Sequence, residues 1–163
     1  MRYSGCLIAV CDMAASRRFY EDLFDQRVLF DFGENVAFES GISLQGKSSW
    51  ANFLQVGEDE IETKSHWGEL YFEHDDLEGF REKLLAYGGT LVHDMVEYPW
   101  GQRTMRLYDP DGHVIELGES MEHVIRRFLA EGLTPEETAL KTQHPIEFVL
   151  RYKESQLRGK LAN

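Results

Sequence analysis

The chain states one structural phrase twice, sixty-four residues apart. Leu7-Ile-Ala-Val-Cys-Asp12-Met13 is a short apolar run ending at an aspartate, and Tyr71-Phe-Glu-His-Asp-Asp76-Leu77 has the same form. Each aspartate suits a helix N-cap, where its carboxylate accepts orphan backbone N–H groups and meets the positive end of the helix. Apolar residues then follow at helical spacing: Met13, Phe19, Tyr20, Leu23 and Phe24 in the first copy, Leu77, Phe80, Leu84 and Tyr87 in the second. Gly88-Gly89 stops the second helix.

Three short strands are expected after each helix, at about 27–31, 35–39 and 41–45, then at about 90–95, 103–108 and 113–117. Gly41 opens the last strand of the first copy as Gly112 opens that of the second. The Asp109-Pro110-Asp111-Gly112 turn is readable from its chemistry. Asp109 bonds its own backbone, Pro110 presets the first turning dihedral, and Gly112 supplies a positive φ. Each copy therefore reads β-α-β-β-β. The fold class is α+β, built from two paired modules at about 1–46 and 68–118 and a mixed sheet.

The connection over 46–68 holds Trp50, Phe53, the acidic cluster Glu58-Asp59-Glu60 and Trp67, with a stretch that could pair as an edge strand. Residues 119–163 form a helical C-terminal extension. Met121, Val124, Ile125, Phe128 and Leu129 share one helical face, and Gly132 ends that helix. Thr134-Pro135-Glu136-Glu137 is a capping box with proline at the first helical position. A third helix is expected from Pro145, with 155–163 fraying. The extension superficially resembles a helix-turn-helix, but its charge argues for packing on the body, on the mouth of its site or on a partner subunit.

Formal net charge is −12, and all of it lies in residues 1–118; the remaining 45 residues carry seven acids and seven bases. No basic patch suited to phosphates is visible, which argues against nucleic acid as a partner. No run is long and apolar enough to span a bilayer, and the first residues lack a signal-like apolar stretch, so a soluble cytoplasmic protein is expected. Cys6 and Cys11 suit neither a zinc clip nor a disulfide framework and are expected as buried, reduced thiols.

Strand alternation sorts the remaining residues onto two faces. One collects Cys6, Ile8, Val10, Ile42, Leu44, Leu70, Phe72, Ile115 and Leu117 and must meet the helices. The other holds Gly5, Leu7, Ala9, Ser43, Gln45, Glu69, Tyr71, Glu73, Val114 and Glu116. That polar face either looks at water or lines a ligand cavity. The repeat favours the cavity, because Gly5 matches Glu69 and Gln45 matches Glu116, so a two-fold pair of modules would gather these positions. Tyr71, Trp67 and Trp100, with Trp50 and Tyr98, are candidate walls, and Arg103 is a candidate partner for a substrate acid or for the site's own carboxylates.

Val10-Cys-Asp-Met-Ala-Ala-Ser16 with Phe19-Tyr20, Glu73-His-Asp-Asp-Leu77, Pro99-Trp-Gly-Gln-Arg103 and Tyr108-Asp-Pro-Asp-Gly-His-Val-Ile-Glu-Leu117 together resemble the vicinal oxygen chelate superfamily. That superfamily groups glyoxalase I, bleomycin-resistance and fosfomycin-resistance proteins and extradiol dioxygenases. The resemblance covers about residues 3–118. It implies that the modules form a curved, cup-shaped sheet and that the protein is a homodimer. It also implies metal ligands near Gly5, Gln45, Glu69 and Glu116. Gly5 has no side chain to offer, and Glu69 stands where histidine is common. The donors that remain, Gln45, Glu69 and Glu116, are oxygens that suit Mg²⁺ or Mn²⁺ better than Ni²⁺ or Zn²⁺. His66 is a candidate replacement ligand, whereas His74 and His113 fall on the opposite face by parity.

Two functions follow. One is a glyoxalase-like, lactoylglutathione lyase-type metalloenzyme in which Glu69 or Glu116 acts as base beside a divalent ion. The other is a metal-free small-molecule binding or sequestering protein of the bleomycin-resistance type. A third, protein-interaction role is open to the helical extension.

Overall fold

The computed structural model describes residues 3–64 and 66–152. The chain alternates β1 (Cys6–Val10), α1 (Met13–Phe24), β2 (Val28–Asp31), β3 (Asn35–Phe38) and β4 (Ile42–Gly46) with α2 (Lys47–Leu54). It continues through β5 (Glu69–Glu73), α3 (Leu77–Tyr87), β6 (Thr90–Glu97), β7 (Arg103–Tyr108) and β8 (Val114–Gly118) to α4 (Met121–Ala130) and α5 (Pro135–Thr142). Helix also runs over 146–152, as expected from Pro145. The expected frayed end at 155–163 lies outside the described residues.

The strands form two four-stranded sheets with the same internal order, β1-β4-β3-β2 and β5-β8-β7-β6. The repeat in the sequence is therefore a repeat in topology, and the α+β reading of paired βαβββ modules holds. In the first sheet β1 runs parallel to β4, and β4, β3 and β2 pair antiparallel. Ala9 lies beside Gln45 in this register, and Asn35 lies beside Gln45 from the other side. All three therefore share the polar face.

Both aspartate caps form. Asp12 accepts from the Ala15 amide and Asp76 from the Gly79 amide, each at 2.9 Å. The α1 stripe buries Phe19, Tyr20, Leu23 and Phe24, and the α3 stripe buries Leu77, Phe80 and Leu84. Each such side chain removed from water contributes about 1.5–3 kcal/mol. The expected apolar face buries Val10, Ile42, Leu44, Ile115 and Leu117.

The structure departs from the sequence reading at two places. Beyond Gly46, the 46–68 connection holds α2 and a single 3-10 turn at Glu58–Glu60, with no strand among its described residues. Helix α2 has no side-chain cap and buries only Ala51, so neither a cap nor an apolar stripe announced it. Cys11 is exposed rather than buried, at the end of β1, while Cys6 is half-buried and both are free thiols.

The chain forms two compact units. The first comprises the residues up to Leu70 together with Arg81–Thr90 and Leu107–Ile115; the second comprises Tyr71–Phe80, Leu91–Arg106 and the residues from Glu116 onward. In the first unit the Asp-Pro-Asp-Gly turn is tied to the opening strand and helix. Asp109 accepts from the buried Tyr20 hydroxyl at 2.9 Å, and Asp111 accepts from the Ser16 hydroxyl and the Cys11 amide, each at 2.7 Å. In the second unit α4 buries Val124, Ile125 and Phe128, the face expected from the sequence. No helix among the described residues is long and apolar enough to cross a membrane.

Candidate functional site

The polar face of the second sheet carries an array of two hydrogen-bonded limbs within the second unit, joined by a pair of stacked rings. Its centre is Arg106 on β7. The guanidinium pairs with Glu116 on β8, donates to the Tyr98 hydroxyl at 2.7 Å and lies 3.3 Å from His93 Nε2. Sequence reasoning named Glu116 and missed its partner. The available signal was parity in β7, which places Arg106 and Arg103 on opposite faces.

A second limb of the array runs through Gln102, whose side-chain amide donates to the Tyr71 hydroxyl at 3.0 Å and to the Glu119 carbonyl at 2.8 Å. Its oxygen accepts from the Trp100 indole N–H at 3.1 Å. Trp100 stacks on Tyr98 with ring centroids 4.6 Å apart and planes 2° from parallel. Tyr71 remains 48% exposed, within reach of a ligand, and donates to Glu73 at 3.3 Å. Burial and the Glu73 charge, against the opposing Gln102 bond, push the Tyr71 hydroxyl above the usual phenol range, so it stays a donor at neutral pH. Tyr71 and Trp100, both predicted, are thus brought together by Gln102, which was not.

Arg103 serves a different purpose. Its side chain grips the fully buried Glu119, with Nε at 2.8 Å and a terminal nitrogen at 2.6 Å, and reaches Glu78 at 2.6 Å. The structure thus gives the Arg103 guanidinium to Glu119 and Glu78, neither of which is a carboxylate of the polar face. Burial raises the Glu119 carboxyl, but bonds from Arg103 and the charges of Arg103 and Arg127 outweigh it and hold the group below the usual carboxylate range. The loop carrying Trp100 rests on α4. Gly101 has φ +86, and a Cβ there would lie 2.1 Å from the Phe128 ring; its carbonyl accepts from Arg127 at 2.5 Å. The helical extension therefore buttresses the array.

In the first unit, Gln45 is 3% exposed. Its oxygen accepts from Asn35 at 3.0 Å, and its nitrogen donates to the Glu34 carbonyl and the Ser49 hydroxyl, each at 2.8 Å. Glu69 opens β5 and is exposed, as is Trp67, which is 92% exposed in the preceding loop. His66 stacks on Tyr108 and bonds its hydroxyl at 2.6 Å. Of the two histidines assigned by parity to the other face, His74 packs edge-on against Phe80, and His113 bonds Asp109 at 2.8 Å. A small cavity of about 80 Å³ opens on the polar-face residues Ala9 and Val114, with Lys47, Thr63 and His66 around it. The Cys11 thiol also borders it. Asp111, by accepting its hydrogen bond, and partial burial hold this thiol above its usual value, which keeps it in the unreactive protonated form.

These residues do not fit a divalent metal. Arg106 pairs with the Glu116 carboxylate, and the buried Gln45 side chain is held by Asn35, Glu34 and Ser49. The Gly5 position cannot be refilled, because a Cβ there would lie 2.1 Å from the Gly41 carbonyl oxygen. Among the described residues no three of His, Cys, Asp and Glu gather as a metal-ligand group.

The glyoxalase-like domain family model matches residues 3–122. No curated protein matches the chain. Among solved structures, a protein of unknown function from Agrobacterium tumefaciens str. C58 is 35% identical, covering 74% of this chain and 94% of its own, with a TM-score of 0.64. A glyoxalase-related enzyme from Fulvimarina pelagi is 21% identical, covering 74% and 88%, with the same TM-score. A lactoylglutathione lyase from Agrobacterium tumefaciens is 19% identical, covering 74% and 94%, with a TM-score of 0.57. The last two likenesses speak to the fold alone. The repeated module, the twin sheet order and the family match together place this chain in the glyoxalase-like domain family of the vicinal oxygen chelate superfamily.

Proposed function

We propose that this protein binds a small planar organic molecule on the polar face of its second sheet without a metal ion, as a sequestering protein of the bleomycin-resistance type. Proteins of the family bind small molecules and often form dimers, and we extend both properties to this chain. The observation that supports the reading most is the Arg106–Glu116 pair. The carboxylate best matched to a metal-ligand position already has a cation on it.

The surrounding groups suit a planar, hydrogen-bonding ligand. The parallel Tyr98 and Trp100 rings offer an aromatic platform, and Tyr71 and Gln102 offer polar contacts at its edge. Glu73, beside Tyr71, and the net charge of −12 favour a neutral or basic ligand over an acid.

The competing reading is a glyoxalase-type lyase with Glu69 or Glu116 as base beside Mg²⁺, Mn²⁺, Ni²⁺ or Zn²⁺. It requires Glu116 to leave Arg106, and the contacts of Gln45 and Arg106 give it no support. Tryptophan fluorescence, titrated with a panel of planar aromatic amines in the presence and absence of EDTA, separates the two. Saturable quenching that is indifferent to EDTA and lost in Trp100→Leu supports the binder. Stoichiometric metal in elemental analysis of the purified protein, lost in Glu116→Ala, would replace it with the metalloenzyme.

A further inference from the structure

A groove of about 290 Å³ lies within the first unit, walled by residues that take no part in the array around Arg106. Three aromatic rings border it: Phe19 from α1, Tyr87 from the end of α3 and Tyr108 from the end of β7. Phe19 and Tyr87 meet edge to face at 6.1 Å, and Tyr87 is 42% exposed. Gly88, Gly89 and Thr90, with Pro110 and Gly112 of the turn, complete the wall together with Lys64 and Asp109. Glycine suits two of these positions. Gly88 has φ +85, and a Cβ on Gly89 would lie 2.2 Å from Leu84. A side chain would strain the backbone at Gly88 and press on Leu84 at Gly89.

The wall carries one cation, Lys64, and one acid, Asp109. Lys64 sits in the left-handed region (φ 56), and its side chain lies across Gly112 with the ammonium 5.3 Å from the centre of the Tyr108 ring. Among the described residues Lys64 makes no ion pair. Asp109 also borders the groove, but both its oxygens are engaged: one accepts from the Asp111 and His113 amides, the other from Tyr20 and the His113 ring. The acid at the wall is therefore internally satisfied, while the cation lies over an aromatic ring and has no carboxylate on it among the described residues.

We propose that this groove is a second ligand site, separate from the polar face of the second sheet, and that it takes a single-ring aromatic carboxylate. The ring would lie against Tyr87 and Tyr108, and the carboxylate would meet the Lys64 ammonium. The volume sets the size limit, because drug-sized ligands occupy pockets of roughly 300–1,000 Å³. The aromatic walls select a ring over an alkyl chain through edge and face contacts. Lys64 selects an acid over an alcohol.

Backbone amide NMR of the full chain, titrated with sodium benzoate and in parallel with benzyl alcohol, tests the assignment. Benzoate is expected to move the Gly88, Gly89, Thr90 and Gly112 signals saturably, and to bind about threefold more tightly than benzyl alcohol. Lys64→Gln, an exposed change, removes that preference. Tyr87→Ala weakens both probes about fivefold. Three results each overturn the proposal: no saturable movement at those amides, equal affinity for the two probes in the unmodified protein, or movement confined to Trp100 and Gln102. The last would assign the aromatic acid to the array on the second sheet: the array would stand as a binding site, its preference for neutral or basic ligands would not, and this proposal would fall.

Discussion

Glu119→Gln asks whether the buried carboxylate under the Trp100 loop holds the second unit together as an ion cluster. The Glu119 side chain is fully buried. It accepts from the Arg103 side chain at 2.6 and 2.8 Å, from the Arg103 backbone amide at 3.0 Å and from Arg127 at 3.3 Å. The amide keeps the volume, removes the charge and turns two N–H donors toward groups that are themselves donors. Breaking a buried pair by removing one partner costs about 3–5 kcal/mol. Arg103 keeps Glu78 and Arg127 keeps the Gly101 carbonyl, so the low end applies, about 3 kcal/mol. For a chain of this size that is a fall in Tm of about 6–12 °C.

The pH dependence follows from the direction of the Glu119 shift. Its folded value lies below the ordinary one, so the group stabilises the fold fully above the unfolded carboxylate value of about 4.3. That contribution fades as pH falls through the lower folded value. Urea denaturation of both proteins should therefore show the full gap at pH 7 and pH 5, and a shrinking gap below about pH 4. A gap under about 1 kcal/mol at pH 7 would refute the reasoning, as would one that stays constant into acid.

Phe128→Ala removes the ring under Gly101 and should cost about 3–5 kcal/mol, with a red shift of Trp100 emission as the loop loosens; unchanged emission would separate the loop from α4. Gly5→Ala drives a Cβ into the Gly41 carbonyl and should lower urea stability by about 1–3 kcal/mol or more by parting β1 from β4. An unperturbed midpoint would show that this backbone contact is soft. Burial lowers the His113 pKa, yet the bond and charge of Asp109 outweigh it and the net shift is upward. Its stabilisation is present in full below about pH 6.5 and lost as pH rises through the folded value. NMR titration of the imidazole should find that higher value in the native protein and a clearly lower one in Asp109→Asn, where burial acts without the Asp109 charge.

The repeated β-α-β-β-β element order, the two aspartate caps, the α1 and α3 stripes and the capping box at Thr134 were all legible in the chain. Each is a local rule, with period, cap and turn acting within a few residues of one another. Parity also sorted the strand faces and led to Glu116 and Tyr71, while Trp100 was named from its aromatic character alone. Parity says which side a residue faces, and nothing about which neighbour across the sheet reaches it first. That is why Arg106 was missed on Glu116, Asn35 on Gln45 and Glu119 beneath Arg103.

The amino-acid sequence by itself determined the repeated βαβββ plan, because hydrophobic period and helix caps are written along the chain. Only the tertiary structure decided the chemistry of the carboxylates. A charge takes its character from whatever lies within a few ångströms, and for Glu116 and Glu119 those neighbours come from another strand or helix, where a single side-chain register separates a metal ligand from an ion pair.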